Sequence, residues 1–138
     1  MKVELNWTLL DDLHHLWDEQ LCLYAYCHPE TGQPLYIGKA DYTTVKERLY
    51  GKHKNEIVEW IADTFDIEEF DVLHGEFVLN PGQRRSSEFL TDIESLLIFR
   101  LQPPANIQSR STHWVARRGM VVGCLGDWPM TRDRFRDI

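Results

Sequence analysis

Two dense apolar and aromatic runs, Leu21 to Cys27 (LCLYAYC) and Leu35 to Gly38 (LYIG), stand only seven residues apart. Runs this short and rich in aromatic and branched residues read as strands. The connecting HPETGQP is turn chemistry: Pro29 and Gly32 interrupt the pattern, and Thr31-Gly32 suits a tight reversal. Parallel strands need a crossover of a dozen or more residues, so strands this close pair antiparallel. An antiparallel hairpin therefore anchors any fold the chain adopts.

The flanks add helices. Leu9, Leu10, Leu13, Leu16 and Trp17 recur at helical spacing, which predicts an N-terminal helix over 5–20. Thr43 or Thr44 caps the helix after the hairpin, with Glu47 placed for a capping box on Thr44. Asn55 caps another, whose inner face is Ile57, Val58, Trp60 and Ile61. Phe70 to Leu79 reads as a third strand, ended by Asn80-Pro81-Gly82. Ser86 or Ser87 caps a long helix that Pro103-Pro104 stops. HWVARRGMVVGC reads as a last strand or hairpin. The expected fold is α+β: a small, mainly antiparallel three-stranded sheet flanked by helices, in a single domain over 1–138. Its core spans about 21–108, between the helix over 5–20 and an arginine-rich C-terminal extension, 109–138.

Charge narrows the function. The net charge of −7 argues against broad, non-specific nucleic-acid affinity. It is unevenly spread: residues 110–138 hold six arginines against three aspartates, a net +3 that leaves −10 on the remainder. The plain reading of those arginines is solubility and salt bridging; the functional one is a phosphate-facing patch that includes Arg117 and Arg118. Cys22, Cys27 and Cys124 form no C-x-x-C pair and are expected to be reduced thiols. No apolar run approaches a membrane span, and the acidic N-terminal segment is unlike a signal peptide, so a cytoplasmic location without membrane association is expected.

The chemistry-bearing residues then fall in order. Tyr24 lies in the first hairpin strand, and Tyr36-Ile37-Gly38-Lys39-Ala40 in the second. Arg48 follows on a helix, Glu94 stands among Ile93, Leu96, Leu97 and Ile98, and Pro103-Pro104-Ala105-Asn106 closes the set. This constellation resembles the GIY-YIG nuclease superfamily over roughly residues 21–108. The YIG element is intact. The GIY element reads Cys22-Leu23-Tyr24 or Tyr24-Ala25-Tyr26 without its glycine; the first register keeps the hairpin nearer the family's length, and Tyr26 stays in contention.

The resemblance implies an endonuclease that hydrolyses DNA phosphodiester bonds with one Mg²⁺ or Mn²⁺ held by Glu94. Tyr24 or Tyr36 would assist as base or water orienter; a base role needs a nearby cation, which Lys39 or the metal would supply. Arg48 would hold the phosphate, His53 would stand near the water, and Gly38, Asn106, Arg117 and Arg118 would support substrate binding. A planar guanidinium suits phosphate oxygens, and a single carboxylate suffices for a cation that keeps its waters. The implied partner is the DNA backbone, with a homodimer or a partner protein supplying specificity. The alternative is a catalytically silent member acting as a nucleic-acid or protein binding module.

Overall fold

A computed structural model describes residues 2–12, 14–51, 55–108 and 119–136. The strands are β1 Lys2–Leu9, β2 Cys22–Cys27, β3 Pro34–Ala40, β4 Asp71–Val78, β5 Val121–Gly126 and β6 Arg134–Arg136. The helices are α1 Val45–Tyr50, α2 Asn55–Phe65, α3 Ser87–Leu101 and α4 Pro104–Gln108, with a single 3-10 turn at His15–Asp18. The strands form one mixed sheet in the order β3-β2-β4-β1-β5-β6. The β2–β3 hairpin pairs antiparallel, as its short connection requires, and β2 also pairs antiparallel with β4.

This corrects the expectation of a small three-stranded, mainly antiparallel sheet. The predicted helix over 5–20 is a strand, a loop and the 3-10 turn. Val3, Leu5 and Trp7 alternate with more exposed neighbours, a period of two that buries one face of β1. β1 then joins β4 antiparallel and β5 parallel, so both ends of the sequence enter the central sheet. Residues 121–126 and 134–136 of the expected extension are therefore sheet strands. In β6, Phe135 faces inward while Arg134 and Arg136 are exposed, which places charge on an edge strand.

Helices cover both faces. On one side α3 packs Phe89, Leu90, Ile93, Leu96 and Leu97 onto Leu5, Leu23, Ile37 and Val122. On the other, Val45 of α1, Ile61 of α2 and Ala105 of α4 cover Tyr24, Tyr26, Tyr36 and Val72. Local chemistry sets the boundaries. Thr44 and Glu47 form a reciprocal capping box at α1, and the Ser86 hydroxyl accepts from the Phe89 amide at α3. Gln102 ends α3 in the left-handed region at φ 49°, and Pro104 opens α4, where its missing N–H costs nothing. No helix among the described residues is long and apolar enough to cross a membrane.

Candidate functional site

The hairpin register builds the site. Tyr24 pairs with Gly38 and Tyr26 with Tyr36 across β2 and β3, so all four share one face. Gly38 lies inside β3 rather than ending it, with ordinary strand geometry. Its lack of a side chain is needed because the Tyr24 ring crosses it. A Cβ there would stand 2.5 Å from both Cζ and the hydroxyl of Tyr24. The three phenol rings cluster, with centroids 5.4 Å apart for Tyr24–Tyr26, 5.5 Å for Tyr26–Tyr36 and 6.1 Å for Tyr24–Tyr36. The Tyr24 hydroxyl donates to that of Tyr36.

Two charges act on this cluster from separate elements. Burial, followed by the neighbouring phenols, pushes Tyr24 well above the usual tyrosine range, and Arg48 of α1 pulls it down. Burial likewise raises Tyr26, again opposed by Arg48. In Tyr36 burial raises the pKa most and the Glu94 carboxylate next; the Tyr24 hydrogen bond and Arg48 oppose them. Glu94 is 6% exposed on α3, the helix that packs along the edge strand β3. The Nε of Arg48 is buried without a hydrogen-bond partner among the described residues, as is the Tyr26 hydroxyl. A guanidinium N–H so placed is a donor awaiting an acceptor.

Asn106 fixes the strand from outside. β3 is a sheet edge, and Asn106 accepts from the Ile37 N–H at 2.8 Å and donates to the Ile37 carbonyl at 2.9 Å. The side-chain amide takes the place of a neighbouring strand at the centre of the YIG element, which closes the exposed ladder.

Other residues singled out in the sequence lie elsewhere. Lys39 alternates to the opposite face and donates to Thr91 at 2.7 Å, one turn before Glu94 on α3. Arg48, not Lys39, is the cation acting on the phenols. His53, Arg117, Arg118 and Trp114 lie outside the described residues. Trp128 is core, 5.1 Å from Trp7, while Tyr42 is exposed. Cys22, Cys27 and Cys124 are free and buried.

His74 was missed. It pairs with Tyr24 across β2 and β4, is 2% exposed, and neither ring nitrogen has a described partner. Burial depresses its pKa, which leaves a neutral imidazole in the sheet beside the tyrosines. The signal was a lone histidine inside the apolar run VLHGEF.

Among the described residues no three His, Cys, Asp or Glu side chains stand together as a metal cage. The donor set near Tyr36 is one carboxylate, Glu94. That suits a cation retaining most of its waters and does not suit a zinc centre.

No protein-family model, curated protein or solved structure matches this chain.

Proposed function

We propose that the chain is an endonuclease that hydrolyses DNA phosphodiester bonds by a GIY-YIG-type mechanism, with Mg²⁺ or Mn²⁺ held through Glu94. One observation carries this reading: Tyr24 and Tyr36, hydrogen-bonded over Gly38, both feel the Arg48 guanidinium from α1, and Tyr36 also feels the Glu94 carboxylate from α3. The cation, when bound, neutralises charge on the phosphate and the leaving oxygen. Arg48 binds a non-bridging phosphate oxygen through its guanidinium, whose Nε has no acceptor among the described residues. The Tyr24 hydroxyl donates a hydrogen bond to the Tyr36 oxygen, and the pair orients water or phosphate. Because burial keeps both phenols protonated, orientation is their first role. A base role draws on Arg48, whose charge favours the phenolate. Asn106 holds the strand that carries Tyr36.

The decisive experiment is nicking of supercoiled plasmid in Mg²⁺ or Mn²⁺, with Glu94→Ala, Arg48→Ala, Tyr24→Phe and Tyr36→Phe in parallel. Wild type should nick, the first two variants should lose about two orders of magnitude or more, and the phenylalanine variants should lose less. A wild type that nicks nothing, or alanine variants that nick as fast as wild type, removes the catalytic reading. The burial that raises all three phenols favours one rival, a silent binding module. That module would retain plasmid in a mobility shift without cutting it in either metal.

A further inference from the structure

A cleft of about 260 Å³ opens between the 3-10 turn and α1, lined by Asp12, His14, Trp17, Asp18, Lys46 and Tyr50. We propose that this cleft is a subsite for a nucleobase, with guanine the best match, which seats a nucleotide a few base steps from the cleaved phosphate. The assignment rests on the nuclease reading and adds base selection to it.

The chemistry of the lining points to a base. Asp12, Asp18 and Lys46 make no ion pair with other described residues, so acceptors and a donor stand open together. His14 accepts the Leu16 N–H on Nδ1 at 3.2 Å, so its neutral form carries the proton on Nε2 as a second donor. A cationic guest would use only the two carboxylates and be repelled by Lys46. A base uses both kinds of group: guanine offers N–H groups to a carboxylate, and O6 and N7 to Lys46 and His14. Trp17 supplies a stacking wall whose orientation is set by its Nε1–H bond to the Asp11 carbonyl. Tyr50, 72% exposed, is a second ring without a packing role that explains it.

Placement links the cleft to the tyrosines. Arg48 faces them, while Lys46 and Tyr50, two residues to either side, lie about 200° around α1. The cleft is thus about one helix diameter, ~10 Å, from the phosphate site, or roughly three base steps along a strand. Asp12 and Asp18 line the cleft, so the uncharged base enters and the phosphates stay outside.

The test is a ¹H–¹⁵N NMR titration of the full chain with guanosine, inosine, adenosine and N-acetylarginine amide. Guanosine should shift residues 12–18 and 46–50 and bind best, with inosine weaker for lack of the N2 amine. The Asp12→Asn, Asp18→Asn double variant should weaken guanosine about tenfold, and Tyr50→Ala several-fold; these side chains are exposed, so the fold should survive. Equal binding of adenosine and guanosine, no nucleoside binding, or preference for the arginine derivative overturns the subsite. Nicking is scored alongside. A wild type that nicks but ignores guanosine overturns the subsite alone. Guanosine binding without nicking supports the base site and overturns the catalytic reading alone.

Discussion

Gly38→Ala tests the geometry on which the site depends. In extended backbone that an L-residue can adopt, glycine to alanine should stabilise by about 0.4–1 kcal/mol, because it restricts the unfolded chain. Gly38 has such a backbone, yet its new Cβ would lie 2.5 Å from Tyr24 Cζ and from the hydroxyl, and 2.9 Å from Cε1. The aromatic ring is rigid and 1% exposed, so it must be displaced as a unit. Overpacking of this kind costs about 1–3 kcal/mol, and loss of the Tyr24–Tyr36 hydrogen bond adds about 0.5–1.5 kcal/mol. The clash outweighs the entropic gain, and the expected net loss is roughly 1–3 kcal/mol. In urea that lowers the midpoint by about 1 M at unchanged slope. The same substitution in a Tyr24→Leu background should cost much less, because the atoms it strikes are gone, giving a coupling of about 1 kcal/mol or more. A rise in midpoint for Gly38→Ala, or an identical cost in both backgrounds, would refute the packing argument.

Asn106→Ala leaves the buried Ile37 N–H and C=O without their partner, so it should destabilise by about 2–4 kcal/mol and speed hydrogen exchange at the Ile37 amide; unchanged exchange there would contradict the edge-closing role. The Cys22, Cys27 and Cys124 thiols are each pushed up to about 12, chiefly by burial. Below the unfolded thiol pKa, about 9, both states hold the proton; between there and about 12 only the folded chain does, so stability should fall as pH rises through that window. Urea midpoints from pH 8 to 10 should decline less in each Cys→Ala variant than in wild type. His74 has the opposite sign: its pKa is lowered, so below about 6.5 the unfolded chain takes a proton that the folded chain refuses, and stability falls as pH falls. His74→Leu removes two buried nitrogens that have no partner among the described residues and should flatten that acid loss between pH 7 and 5; an unaltered slope would place the titration elsewhere.

Local pattern carried much of the fold. The hairpin was legible because seven turn-rich residues leave two apolar runs no parallel option, and α3 because Ser86 and Pro103 bracket it. The N-terminal segment shows where pattern competes with pattern. Val3, Leu5 and Trp7 alternate as a strand, while Leu9, Leu10, Leu13, Leu16 and Trp17 repeat as a helix. Strand pairing on both sides of β1 decides for the first, and Leu16 and Trp17 are left to a single 3-10 turn over the tyrosine face. The β1–β5 pairing joins residues more than a hundred positions apart, and no local signal announces such a partner.

The site divides along the same line. Tyr24, Tyr36, Gly38, Arg48, Glu94 and Asn106 were legible because each sits at a fixed offset inside a readable element. Their relation to one another depends on register. Antiparallel pairing with Tyr24 opposite Gly38 fixes which face of the hairpin is the site face, and a slip of one residue would turn the phenols toward α3. The same alternation removes Lys39 from the phenols and gives it to Thr91, so the cation beside them must come from α1. It also brings in His74, which has no sequence offset from the motif and reaches Tyr24 only because β4 lies on the other side of β2. A sheet row of Gly38, Tyr24 and His74 is thus set by three strands together. The glycine admits the phenol, and the histidine stands against its other flank as a neutral base without a partner among the described residues. Any substitution that shifts Tyr24 should therefore be felt on both sides of the row, at the Tyr36 hydrogen bond and at the His74 titration.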